Sequence, residues 1–65
     1  MITFDKLWLT LKDKQISQYK LIHNHQISPS QITRLKRNES VSTNTIDNLC
    51  RILNCDISDV MEYKQ

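Results

Sequence analysis

The chain of 65 residues contains no glycine and a single proline. That absence limits the fold more than any residue that is present. Tight hairpins want residues at positive φ, where glycine costs least. A sheet folded through such hairpins is therefore a poor fit. Helices are a good one, because glycine only weakens their interiors. Two apolar stripes agree with that reading. Phe4, Leu7, Trp8 and Leu11 recur at i, i+3, i+4 and i+7, and so do Ile46, Leu49, Cys50 and Leu53. The expected class is all-α, in one domain over residues 1–65, since a chain this short has room for a single modest core.

Cap residues divide the chain into helices. Thr3 is placed to cap a helix running to about Lys12, with Phe4 and Trp8 as core anchors. Residues 13–16 link onward. Ser17 suits the cap of a second helix reaching about Asn24, with Leu21 and Ile22 inward, and His25 to Ile27 form a turn. Ser42 opens a helix to Leu53. Asn38 and Asn54 stand at helix ends, where asparagine tolerates the left-handed conformation. Asp56 caps a short fifth helix, with Asp59 in its first turn favoured by the dipole. Ile57, Val60 and Met61 are expected to face the core.

The stretch Ser17 to Arg37 reads as two helices joined by a tight turn. Ser28 is an N-cap, Pro29 falls at the first helical position, and Gln31 can reach back to complete a Ser-x-x-Gln capping box. In the helix Pro29 to Arg37, Ile32 and Leu35 share the inner side. Ser30, Thr33, Arg34 and Arg37 fall at i, i+3, i+4 and i+7 and form an outward stripe of hydroxyls and guanidiniums. Such a face can read base edges and grip phosphates from a major groove.

Net charge is +2, a weak footprint, but its distribution is uneven. Between residues 31 and 42, Arg34, Lys36 and Arg37 stand against Glu39 alone. Residues 43–65 set Arg51 and Lys64 against Asp47, Asp56, Asp59 and Glu62. No apolar run approaches the ~20 residues of a membrane span, and the start MITFDKLWLT lacks the marks of a secretory signal. A cytoplasmic setting with no membrane partner is expected. Cys50 and Cys55 do not make a disulfide framework. Cys50 reads as a small core residue and Cys55 as a packing residue beyond a helix end. His23 and His25 lie two apart on one helix and diverge, so no metal site is expected, and His25 reads as a partly buried packing residue. No Ser/His/Asp or Cys/His spacing suggests catalysis. Neither an enzyme, nor a cofactor, nor a small-molecule ligand is expected.

The runs ISQYKLI and ISPSQITRLKRNESVSTNTIDNLCRILNCDISDV resemble the Cro/C1-type helix-turn-helix domains of phage repressors and bacterial regulators. The resemblance spans roughly Lys6 to Tyr63. The family pattern S-Q-x-x-L-A, then Gly, then I-S-x-S-x-I-S-x-L falls on Ser17, Gln18, Leu21 and Ile22, on Gln26, and on Ile27, Ser28, Ser30, Ile32, Thr33 and Leu35. A later pattern, P-S-x-x-T-L-x-x-I/L-A-x-x-L, falls on Val41, Ser42, Thr45, Ile46, Leu49, Cys50 and Leu53. Three residues depart from it: Ile22 replaces a small alanine, His25 an apolar residue, and Gln26 the turn glycine.

The resemblance implies a compact five-helix bundle that binds DNA through the second helix of the motif at about 17–37. It implies base contacts from Ser28, Pro29, Ser30, Thr33 and Arg34. Arg34 is the residue suited to bidentate contact with guanine, and Pro29 is limited to apolar contact. Phosphate contacts are implied for Gln18, Gln31, Lys36, Arg37 and Asn38, and for Ser42, Thr43 and Asn44 at a helix N-terminus. A solvated helix face is the plain alternative for the stripe. The implied function is sequence-specific transcription regulation on double-stranded DNA, as a repressor. A homodimer on a two-fold site is expected, with Asp56 to Tyr63 in the contact. No separate sensing domain is expected, which favours control by concentration or by a partner protein. The rival reading is a protein-interaction module, antitoxin-like or anti-regulator, that keeps the fold without binding DNA.

Overall fold

The computed structural model describes residues 1–65. Its elements are β1 (Ile2–Thr3), α1 (Asp5–Lys14), α2 (Gln18–His23), α3 (Pro29–Lys36), α4 (Thr43–Leu53), one 3₁₀ turn (Ile57–Asp59) and β2 (Glu62–Tyr63). There are four α-helices, not the expected five. The last segment stops after one turn because β2 must then lie antiparallel to β1, with Ile2 opposite Tyr63 and Thr3 opposite Glu62. Within that turn the Asp56 amide donates to Asp59 Oδ2 at 3.2 Å. Val60 is buried and Met61 half-buried. Ile57 is on the outer side at 58% exposure, which corrects the expectation that it faces the core.

The small sheet joins the two ends of the chain, so it needs no hairpin turn and no glycine. Beyond the pair, the Lys64 amide donates to Met1 O at 2.8 Å. Pairing with β2 also takes Thr3 out of its expected capping role. It is a buried strand residue whose Oγ1 has no hydrogen-bond partner. β-branched residues suit strands. Phe4 is the residue preceding α1, and its amide is satisfied from a distance by Asn38 Oδ1 at 2.8 Å.

One core binds the helices together. Phe4, Leu7, Leu11, Leu21, Ile27, Ile32, Leu35, Ile46, Leu49, Leu53 and Val60 are its buried members. Trp8 is not among them: it leans half-buried on the rim, one helical turn from buried Phe4. Ile22 and Cys50 also pack on the rim.

Three helix ends share one geometry. Gln15, Asn38 and Asn54 take φ of 59°, 56° and 50°. At each corner two amides turn back into the helix: Gln15 to Lys12 O and Ile16 to Leu11 O, Asn38 to Leu35 O and Glu39 to Arg34 O, Asn54 to Arg51 O and Cys55 to Cys50 O. This is the paired-bond Schellman ending. The two asparagines stop their helices as expected. The stop at Gln15 carries no such sequence mark, and it lets α1 run to Lys14.

Candidate nucleic-acid interface

α2, the turn and α3 form the expected helix-turn-helix. Ser17 Oγ accepts from the Lys20 amide at 3.1 Å and starts α2. The Asn24 amide bonds Lys20 O at 2.9 Å and the Ile27 amide reaches Leu21 O at 3.0 Å, which closes the turn. Buried Ile27 anchors it to the core. Gln26 adopts φ 60° there, where the resembling pattern has glycine. A side chain in that conformation costs about 1–2 kcal/mol. His25 is exposed, which corrects its expected packing role, and His23 stacks on Tyr19 with ring centroids 4.0 Å apart.

α3 opens as expected at Ser28, whose Oγ accepts from the Gln31 amide at 3.3 Å, with Pro29 at the first position. The reciprocal half of the capping box is missing. The Gln31 side chain turns the other way, and its Oε1 accepts from Thr45 Oγ1 at 3.4 Å. That bond ties the start of α3 to the start of α4. Ile32 and Leu35 point into the core, so Ser30, Thr33, Arg34 and Arg37 are left exposed on the opposite side. Ser28 and Ser30 hydroxyls lie 3.0 Å apart, and Thr33 Oγ1 donates to Pro29 O at 3.1 Å. Arg34 reaches toward Ser40 O, at the edge of hydrogen bonding at 3.5 Å.

The electrostatics of this surface suit an anionic partner. α3 contains no acidic residue. Three carboxylates pair with cations on other elements: Asp5 and Glu62 with Lys64, Glu62 also with Lys6, and Asp47 with Arg51, while Asp13, Asp56 and Asp59 are exposed without an ion pair. Only Glu39 approaches an α3-end cation, Arg37, at 3.9 Å across an exposed gap. Exposed pairs of this kind are worth ~0–1 kcal/mol and yield readily to a competing anion.

The structure gathers most of the anticipated residues on one side of α3 and around the start of α4. Ser28, Pro29, Ser30, Thr33, Arg34, Lys36 and Arg37 are exposed, as are Ser42, Thr43 and Asn44. Ser42 caps α4 through the Thr45 amide at 3.2 Å. Gln18, Gln31 and Asn38 are half-buried. Asn38 has already committed its Oδ1 to Phe4, leaving its amide nitrogen as the group able to donate outward. Thr45 was not anticipated as a bridging residue. Its position three after the Ser42 cap was the available signal.

The family model for Cro/C1-type helix-turn-helix DNA-binding domains matches residues 6–65. Among solved structures, the chain is similar to the transcriptional regulator VanUg in its crystal form II. The TM-score is 0.85 and the identity 33%, over 94% of this chain and 81% of that one. No curated protein matches. No helix is long and apolar enough to cross a membrane.

Proposed function

The chain belongs to the family of Cro/C1-type helix-turn-helix DNA-binding domains, and from that premise we propose that it is a sequence-specific transcriptional regulator acting as a repressor. The observation that carries this reading is the outward side of α3. Ser30, Thr33, Arg34 and Arg37 stand exposed in one stripe, on a helix with no acid of its own. Ser28, Pro29, Ser30, Thr33 and Arg34 contact bases, with Arg34 bidentate to guanine. Gln18, Gln31, Lys36, Arg37 and Asn38, with Ser42, Thr43 and Asn44 at the start of α4, hold phosphates on either side.

The protein works as a homodimer. α3 is about 12 Å long and covers only a few base pairs. Two copies about 34 Å apart read two half-sites. Support for a contact through Asp56 to Tyr63 comes from Ile57 and Tyr63, which are 58% and 70% exposed, beside Ile2 at 45%. The C-terminal Met61 contributes less, being half-buried against the core.

A salt titration tests the reading. With Lys36 and Arg37 of each copy neutralising about four phosphates per dimer, affinity for duplex DNA falls about 10²-fold between ~50 and ~200 mM salt. Absence of duplex binding at low salt overturns it and favours the protein-interaction module.

A further inference from the structure

We propose that Cys50 and Cys55 are a dithiol that closes, by exchange with a small disulfide such as oxidised glutathione, into an intrachain disulfide clasping the end of α4. The two residues hold defined places in the corner at Asn54. The Cys55 amide donates to Cys50 O at 3.1 Å, and the Asn54 amide to Arg51 O at 3.4 Å. In this ending an apolar contact between the residue after the left-handed position and the residue whose carbonyl it bonds frequently accompanies the backbone bonds. The end of α1 has the same bond, Ile16 amide to Leu11 O at 3.0 Å, with Leu11 in the core and Ile16 packed against it. α4 places two thiols where α1 places leucine and isoleucine.

The backbone bond keeps the two Cα atoms within about 7 Å, close to the ~4.4–6.8 Å a disulfide spans. The sulfurs also sense each other. Burial, then the neighbouring Cys50 and Asp59, push the Cys55 thiol above its ordinary value, against the opposing charge of Lys14. Both cysteines are free and half-buried. They sit at the opposite end of α4 from Ser42, Thr43 and Asn44.

The exchange balances within its two partners. One cysteine thiolate attacks a sulfur of oxidised glutathione, forming a mixed disulfide and releasing a glutathione thiolate. The second cysteine thiolate attacks the mixed disulfide at the protein sulfur. The Cys50–Cys55 bond forms and the second glutathione thiolate leaves. The two protein sulfurs are oxidised, the reagent is reduced to two thiols, and the two protons lost by the cysteines end on them.

The test is to equilibrate the whole chain across a series of reduced-to-oxidised glutathione buffers. Acid-quenched mass, free-thiol titration, a peptide map and melting are then measured. The expected oxidised product is a chain lighter by two hydrogens, without free thiols, with the two cysteines linked in the map. Its melting point lies at least about 5 °C above the reduced form, since a six-residue loop is closed in the unfolded state. Cys50→Ser and Cys55→Ser each give a glutathione adduct and no such rise. Retention of both thiols across the series, separate adducts on both cysteines, chain-to-chain cross-links, or a linked form that melts no higher than the reduced one overturns the proposal.

Discussion

α3 and α4 are built alike and dressed differently. Each starts at a serine whose hydroxyl accepts an amide from the first turn, and each is followed by a left-handed asparagine, Asn38 one residue beyond the Arg37 cap of α3 and Asn54 at the cap of α4. Each turns its apolar residues inward: Ile32 and Leu35 on α3, Ile46, Leu49 and Leu53 on α4. The outer sides part company. On α4, Arg51 meets Asp47 one turn earlier at 2.5 Å, so its charge is answered within the helix. On α3, neither Arg34 nor Lys36 has a carboxylate within salt-bridge reach, and the helix supplies none. Caps and inner faces specify how a helix packs. Between these two helices, the outer charges differ in that α4 answers its own cation and α3 leaves Arg34 and Lys36 open to an anionic partner.

If the inner faces are equivalent, their largest side chains matter equally. Leu35→Ala and Leu49→Ala, both at fully enclosed positions, should each lose about 2–5 kcal/mol. That is most of what a domain of this size has. Thermal melts of the two variants should collapse together. A Leu35 variant that melts like wild type would break the equivalence. Trp8→Ala, at a half-buried position, should cost less than either.

The two asparagine stops look equal in sequence and differ in the structure. Both Asn38→Ala and Asn54→Ala force alanine into the left-handed region. Asn38→Ala also strips the Phe4 amide of its partner and should cost about 1–3 kcal/mol more. Chemical denaturation of the pair measures this difference, and equal losses would mean that the Asn38–Phe4 bond contributes nothing. The glutamine corners run in the opposite direction. Gln15→Gly and Gln26→Gly should each gain about 0.5–1 kcal/mol, because glycine avoids the left-handed penalty at some entropic cost. A loss of stability at Gln26 would show that its side chain is needed in the turn. Smallest of all, Arg51→Ala should change stability by about 0.3–0.5 kcal/mol, the value of an exposed i,i+4 pair. It should leave DNA affinity where it was.

Much of the helical framework was legible in the residues because its signals are local. Ser17, Ser28 and Ser42 cap, Asn38 and Asn54 stop, and the apolar spacings give the inner faces. The paired termini were not legible. Two-residue strands carry no periodicity, and Ile2 and Tyr63 are far apart along the chain. That pairing displaced Thr3 from its cap, reduced the fifth helix to one turn and exposed Ile57. At the candidate site the outward stripe followed from spacing alone. The side-chain bonds of Gln31 to Thr45 and Asn38 to Phe4 did not, since both cross between elements and only packing brings their partners together.

The claim that the outer side of α3 reads bases is tested most directly by affinity measurements on a selected operator and its single-base variants. The proteins are wild type, Arg34→Ala and Lys36→Ala. Arg34→Ala should erase about 1–3 kcal/mol of discrimination at one base position per half-site. Lys36→Ala should weaken binding to every duplex alike and flatten the salt dependence. Identical base profiles for the two variants would contradict the account.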